Sequence, residues 1–496
     1  MTFASELQAI YYYASPVQRD STFLKKIAQN AGRINTVAEE FLTQNIRRAE
    51  PTAAAVCAIF SIIFGRNDGV IKTSSDTNWS QNCSLSGQCS IKPCTTMEVA
   101  VALKIITLLD CKFSVWSSGH NLSSQFFGVG SEATVSIGTG STWNKVYHEL
   151  ENYGLTVVGE RGAGVGVGDL MLGGGISHFT NAWRLVAINV KSFEVVLANS
   201  QVVTASARTN QDLFKALKGG GANFGIVTRC ELFAKPKYKQ WHTVKSYSVN
   251  DVKAVMEAAA QVERNMITDE KAGFSLTATS NALIATMYYQ DWSSATPAAF
   301  SPFENVKPLA KIIPETNGAE ESSVIAETQG SIAKCAVCTV TVKTDAAFYA
   351  KTLGFIQEVS RIQPEIQLTQ SFQPISPLMI AKSNALSSDL LNLQAVSQAF
   401  VIVSTRWTDP GYDKIGLEMA VTVVNKITKA ARADGKLLEN NFMNDSNLNR
   451  SPLGNYEDQR VGLMKEASAK YDPEGIFQRL QNNVFLISKM EQAEVL

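Results

Sequence analysis

Three clusters of glycine punctuate the stretch from Trp116 to Thr228, and they limit what this chain can fold into more than any other feature. The first is Trp116-Ser117-Ser118-Gly119-His120. The second runs Gly162-Ala163-Gly164-Val165-Gly166-Val167-Gly168-Asp169-Leu170-Met171-Leu172-Gly173-Gly174-Gly175. The third is Gly219-Gly220-Gly221-Ala222-Asn223-Phe224-Gly225-Ile226-Val227-Thr228. Glycine costs backbone entropy on folding, so such clusters mark backbone that bends unusually or approaches a ligand closely. Bare amides of this kind suit a large anionic cofactor, such as a dinucleotide with its pyrophosphate. A Rossmann dehydrogenase does not fit. Its glycine fingerprint follows the first strand and is trailed by an acidic ribose partner, whereas these clusters sit elsewhere and repeat.

At 496 residues the chain exceeds one ordinary core, so two domains are expected. Its 45 basic and 45 acidic residues balance, and nothing points to a nucleic-acid or membrane-surface partner. Met1 to Asp20 lack the basic region of a secretory signal, which leaves the compartment open. The apolar run Ala53 to Gly65 is too short to span a bilayer, which takes ~20 residues. Val56, Ile59, Phe60 and Ile63 share one face of it, as in a buried helix. Lys25-Lys26, Arg33 and Arg47-Arg48 alternate with apolar residues, as in a surface helix. Of the eight cysteines, Cys335 and Cys338 form a CxxC, and Cys83, Cys89 and Cys94 cluster. A zinc site would need a second ligand pair, and no histidine is close, so no metal is expected. Sequons at Asn78, Asn82, Asn121 and Asn444 matter only in a secreted chain.

The coarse pattern is α+β. It predicts helices over 98–109, 142–153 and 209–217, and strands over 112–116, 134–137, 189–198, 201–205 and 225–232. A break at Lys235 to Lys237 is read as the crossing into a second domain. That domain is predicted to hold strands at 274–279, 282–289, 331–342 and 399–407, with helices at 252–263, 346–357 and 414–433. The Pro-, Ala-, Ser- and Glu-rich segment 294–322 reads as a long surface loop.

The ordered motifs resemble those of the berberine-bridge-enzyme-like oxidoreductases, within the vanillyl-alcohol-oxidase superfamily with its PCMH-type FAD-binding domain. The resemblance rests on the turn ending in His120, on the glycine turn leading to Leu172-Gly173-Gly174-Gly175, and on the run Asp212 to Thr228. It also rests on Phe442-Met443-Asn444 and on Lys470-Tyr471-Asp472-Pro473-Glu474-Gly475-Ile476-Phe477. It covers roughly residues 50–240 and 440–490, and relatives of this style are fungal. It implies a two-subdomain FAD-binding domain plus a substrate domain with an antiparallel sheet backed by helices. The implied division is an N-terminal extension (1–49), an FAD-binding domain (50–236), a substrate domain (237–437) and a C-terminal return that completes the FAD-binding domain (438–496).

In that family the histidine at the position of His120 is joined covalently to FAD. In some members a second tether comes from a cysteine whose position is Gly162 here, so the resemblance implies a single bond through His120. FAD contacts are implied for Ser117, Ser118, Gly119, His120, Asn121, Gly166, Gly168, Asp169, Gly173, Gly174, Ile226, Val227 and Asn444. The substrate base is not readable from the residues. Tyr288 and Tyr289 are candidates on a strand, core tyrosine being the alternative for each, and Gln373 matches a pocket-lining segment. His148, His178 and His242 carry no motif and read as surface or satisfied histidines. The family also offers a Cys57–Cys111 bridge, with two buried free thiols as the alternative.

Three features depart from the family pattern: Ser118 stands in place of a glycine, Ile188 stands where an aspartate usually precedes Asn189, and the spacing from His120 to Thr134 is short. The last implies loss of a strand and turn. The implied activity is that of an FAD-dependent oxidase that takes a hydride from a small organic, secondary-metabolite-type substrate and is reoxidised by dioxygen. The alternatives are a non-redox cyclase that retains the flavin, and a binding protein with a degenerate flavin site.

Overall fold

Alternating β-branched and aromatic residues build two antiparallel sheets, and each sheet buries one face under its own helices. The computed structural model describes residues 2–10, 21–43, 49–65, 89–115, 126–127, 133–162, 164–237, 239–317, 333–386, 390–391, 393–447, 451–482 and 485–492. Among the described residues no helix is long and apolar enough to cross a membrane.

Among the described residues five helices precede the sheets: α1 (Phe3–Ala9), α2 (Ser21–Gln29), α3 (Ala31–Thr43), α4 (Ala49–Phe64) and α5 (Thr96–Leu108). Val56, Ile59, Phe60 and Ile63 of α4 are buried, as the helical spacing predicts. Ile27, Ile34 and Ala38 are buried with them, so the N-terminal region forms a helical layer with a core of its own. The expected bridge is corrected. Cys57 pairs with Cys89 across a Cα–Cα distance of 5.8 Å, and Cys111 is a buried free thiol.

The first sheet comprises β1 (Phe126–Phe127), β2 (Thr134–Gly138), β3 (Leu155–Val157), β4 (Val190–Val196), β5 (Val202–Ser206) and β6 (Ile226–Pro236). Its order is β1-β2-β6-β4-β5, with β3 on the far end of β6. Within the short spacing before Thr134, Phe126 and Phe127 pair antiparallel with β2 as β1. The strand expected at 112–116 is reduced among its described residues to a single bridge, Phe113 to Gln481. The Phe113 amide donates to the Leu480 carbonyl at 2.9 Å, and the Asn482 amide donates to the Phe113 carbonyl at 2.8 Å. At the expected crossing, Lys235 and Pro236 end β6 and pair with β3, and the second sheet begins at Trp241. Helices α6 (Trp143–Glu151), α7 (Val167–Leu172), α8 (Thr180–Trp183) and α9 (Gln211–Leu217) lie between these strands in the chain.

The second sheet holds β7 (Trp241–Ser248), β8 (Ala272–Ala278), β9 (Ala282–Tyr289), β10 (Ala310–Asn317), β11 (Lys334–Lys343), β12 (Gln367–Ile375), β13 (Gln398–Trp407) and β14 (Leu437–Leu438). Its order is β10-β7-β9-β8-β12-β13-β11-β14. The expected surface loop at 294–322 is overturned in part. Residues 298–305 form a 3-10 helix that buries Ala299, Phe300 and Phe303, and 310–317 form the edge strand β10. Pro314 lies where the β10 register shifts, the position an edge strand tolerates for a residue without an N–H. The CxxC lies on β11. There Cys338 is buried towards the helices and Cys335 faces the other way, so the two thiols do not pair.

The long helices α10 (Val252–Asn265), α11 (Ala346–Ser360) and, after α12 (Pro377–Asn384), α13 (Asp413–Ala433) cover one face of this sheet. Leu283, Ala285 and Met287 of β9 point into that core, as do Leu276 of β8 and Phe372 of β12. Residues of the opposite parity, among them His242, Tyr288, Gly273, Ser371 and Gln373, face the first sheet's side of the molecule. The chain then returns through α14 (Asp458–Tyr471) and α15 (Ile476–Leu480), whose residues join the cores of the first sheet and the N-terminal layer.

Candidate active site at the junction of the two sheets

The second glycine cluster forms a turn fixed by its own side of the molecule. The Val167 amide donates to the Ser141 carbonyl at 3.0 Å, and the Gly168 amide donates to the Thr139 carbonyl at 3.2 Å. Thr139 in turn donates its amide to Thr228 and its hydroxyl to the Val227 carbonyl at 2.6 Å. The segments around residues 139–141, 166–168 and 226–228 therefore converge at one edge of the first sheet. Space is open there beside Gly140, where a Cβ would meet no atom within 4 Å.

The turn's far end is held by Asn444. Its side-chain oxygen accepts from the Gly175 amide at 3.0 Å, and its amide nitrogen donates to the Asp169 and Leu170 carbonyls at 3.0 and 3.2 Å. Gly174 and Gly175 have φ of 114° and 74°, which side chains rarely adopt. A Cβ on Gly173 would lie 2.5 Å from the Asn444 amide nitrogen.

The second sheet meets this turn through a row of three rings. Tyr288 of β9 lies beside His242 of β7, its direct cross-strand neighbour, with centroids 4.3 Å apart and rings nearly parallel. On the other side of Tyr288 is Gly273 of β8. Its missing side chain admits the His178 backbone, whose carbonyl oxygen would stand 2.1 Å from a Cβ there. His178 thereby lays its ring 3.7 Å from that of Tyr288. Burial holds the His242 imidazole down at about 4, and neither of its nitrogens has a hydrogen-bond partner among the described residues. His178 is held well below the usual range by burial first, then by the Arg161 guanidinium and by His242. Both rings are therefore neutral at pH 7.

A charged cluster lies beside this row. The Glu160 carboxylate accepts the backbone amides of Arg161 at 2.8 Å and Gly162 at 3.4 Å, and lies 3.8 Å from the Arg161 Nε. Arg161 donates from Nη1 to the side-chain oxygen of Gln373, linking the glycine turn to β12. Burial pushes Glu160 up, and its arginine neighbour pulls it back. Asp445, next to Asn444, is raised to about 7, by burial first and then by the charge of Glu160, with Arg161 opposing.

These positions sort the residues expected from the sequence. Tyr288 and Gln373 come to the junction with the turn bearing Gly166, Gly168, Asp169, Gly173 and Gly174. Tyr289 does not. It points to the helix face and packs near Phe300, and burial followed by the charge of Asp269 raises its hydroxyl. Ile226 and Val227 open β6 and pair with Val196 and Val195. The Gly168 amide is already committed to Thr139, so it is not a bare donor. Ser117, Ser118, Gly119, His120 and Asn121 lie outside the described residues. His242, buried with neither nitrogen partnered among the described residues, departs from the surface or satisfied histidine expected, while His148 is exposed near Glu151 as expected. Sequence reading also missed Glu160, Arg161 and Asp445. A charged pair set directly before the glycine turn, and an aspartate beside Asn444, were the available signals.

The open space beside Gly140, where three backbone segments converge, fits the nucleotide portion of a cofactor. No family model matches the chain. The relative "FAD-dependent monooxygenase yanF" of Aspergillus niger is 30% identical over 442 residues, covering 84% of this chain and 75% of its own. An FAD-dependent monooxygenase of Arthrobotrys oligospora is 28% identical over 502 residues, covering 96% of both. Among solved structures, 6-hydroxy-D-nicotine oxidase from Arthrobacter nicotinovorans superposes with a TM-score of 0.68 at 17% identity, over 84% of this chain and 98% of that one. Xylooligosaccharide oxidase from Myceliophthora thermophila gives 0.68 at 16% identity, over 80% and 91%. The fold is that of the PCMH-type FAD-binding oxidases, and at 30% identity across most of both chains this protein belongs to the FAD-dependent monooxygenase family of FAD-linked oxidoreductases.

Proposed function

We propose that this chain binds FAD across the first sheet and oxidises a small organic molecule held against the second. The observation that carries this reading is the junction itself. The glycine turn, latched by Asn444, is brought against the sheet face that bears Tyr288 and Gln373. When bound, FAD supplies a hydride acceptor and a partner for dioxygen. The chain's own residues do the rest. Tyr288, Gln373, His178 and Arg161 line the place where a substrate C–H would be presented. The two imidazoles are neutral at pH 7 and lie against Tyr288, so Arg161 is the cation of this wall. Asp445 sits near neutrality, suited to taking the proton that accompanies hydride loss.

The covalent link through His120 belongs to this proposal, as do the FAD contacts of Ser117, Ser118, Gly119, Asn121, Gly166, Asp169, Gly173, Gly174, Ile226 and Val227. So does the division into extension (1–49), FAD-binding domain (50–236), substrate domain (237–437) and return (438–496). In it, Asn444 acts on the flavin site chiefly by fixing the glycine turn.

The test is an absorbance spectrum of purified protein before and after acid precipitation. Flavin that stays with the precipitate, and leaves it in His120→Ala, supports the tether. Flavin released from the wild type removes the tether and keeps the cofactor. Folded protein without flavin refutes the reading. Once a substrate is found, hydrogen peroxide release against incorporation of an oxygen atom separates oxidase from monooxygenase turnover.

A further inference from the structure

Arg161 is a guanidinium used far below its capacity. Nη1 donates to Gln373, and Nε lies 3.8 Å from Glu160, too far for a hydrogen bond. Among the described residues its other N–H groups meet no acceptor. Its side chain is 23% exposed, so those groups open onto accessible space rather than being sealed in the core. Donors held in place and unused by the protein are open to a ligand that displaces their water. The arginine is also held in place from two sides. The Glu160 carboxylate clasps the backbone of Arg161 and Gly162, and the Tyr147 hydroxyl donates to the Glu160 carbonyl at 3.0 Å. Gln373 fixes the other end from β12.

We propose that Arg161 is the substrate-anchoring residue of this site and receives a planar oxyanion, two coplanar oxygens sharing one negative charge as in a carboxylate, on its free Nη2 edge. This deepens the reading of the junction as an FAD-linked active site and rests on it. A guanidinium fork matches two coplanar oxygens, which a lysine ammonium cannot do. The surroundings admit one such charge. His178 and Gln373 are uncharged neighbours, and Glu160, whose carboxyl burial raises and Arg161 pulls back, is the arginine's own partner. Asp445 is the remaining acid facing the pair. It is protonated in part at neutral pH, so it repels an incoming anion only once it ionises. The bound oxyanion thus sits between Arg161 and a carboxyl group able to exchange a proton.

The experiment is equilibrium dialysis of the purified holoprotein against benzoate, with neutral benzamide as control, alongside the flavin spectrum. The expected result is benzoate binding that Arg161→Gln weakens by about 10- to 100-fold, the range for losing a charge-assisted hydrogen-bonded contact. Benzamide should bind equally in both. Arg161→Lys should recover only part of the affinity, and affinity should fall as pH rises through 7, a dependence that Asp445→Asn flattens. Equal benzoate affinity in wild type and Arg161→Gln, or no binding to wild type, overturns the proposal. Full affinity in Arg161→Lys overturns the fork, and a pH profile unchanged in Asp445→Asn overturns the role of the acid. Loss of flavin from Arg161→Gln reassigns the arginine to the cofactor and overturns the substrate assignment. Wild type without flavin refutes the parent reading, while the dialysis still decides whether Arg161 binds the anion.

Discussion

Glu263, near the end of α10, is a carboxyl in the wrong solvent. It is 3% exposed in the core between α10 and α11. Thr344 and Tyr349 both donate to its Oε2, while Oε1 has no partner among the described residues. Burial raises its pKa from 4.5 to about 7 against the pull of those hydrogen bonds. The folded state therefore prefers the protonated acid. Stability is fully present below the unfolded value near 4.5, declines as pH rises towards 7, and is flat above. At 1.36 kcal/mol per unit, a shift of this size removes about 3 kcal/mol by pH 8. Glu263→Gln keeps an oxygen for Thr344 and Tyr349 and removes the charge, but leaves an amide N–H pair without acceptors, at a cost of roughly 1–3 kcal/mol. The variant should match or exceed wild type at pH 8, by about 0–2 kcal/mol, and fall below it at pH 5. Thermal melts of both proteins at each pH supply the comparison. A difference in melting temperature that is the same at pH 5 and pH 8 would refute the buried-acid argument, because only a titrating group makes that difference change sign.

Three further outcomes are expected. The neutral His242, depressed to about 4, contributes stability above pH 6.5 that is lost as pH falls, by up to about 3 kcal/mol. His242→Phe should flatten the acid limb of a stability profile followed by denaturant unfolding. Gly273→Ala should drive the His178 carbonyl off β8 and destabilise by about 1–3 kcal/mol. Its ring row should open, so near-ultraviolet circular dichroism should change more than far-ultraviolet. Cys57→Ser opens a loop with a sequence separation of 32 and should cost about 3–4 kcal/mol, with one further thiol titrating in the denatured protein.

The fold was legible where local periodicity carries it. Strand 282–289 and helix 252–263 were read closely because Leu283, Ala285 and Met287, or Val255, Ala259 and Val262, repeat at the period of their element. Strand β12 was missed because Gln367, Thr369, Ser371 and Gln373 put hydroxyls and amides on the open face, a pattern that also describes a loop. Strand β10 was missed because Pro314 and polar neighbours imitate a loop, and only pairing with β7 reveals the strand. The site shows the same division. Tyr288 and Tyr289 are adjacent and were not separated, although the parity set by Met287 assigns Tyr289 to the helix face. The link from Arg161 to Gln373 joins residues 212 apart, and no local signal announces it.

The bridge between Phe113 and Gln481, and the reach of Asn444 back to Gly175, also bear on when the molecule can finish itself. On a ribosome adding about 5–20 residues per second, the glycine turn emerges well before the asparagine that clamps it. The second sheet, whose strands all lie between residues 241 and 438, can close in the meantime. The latch on the glycine turn is thus completed only after the second sheet, and a nascent chain interrupted before residue 444 carries that sheet beside an unlatched turn.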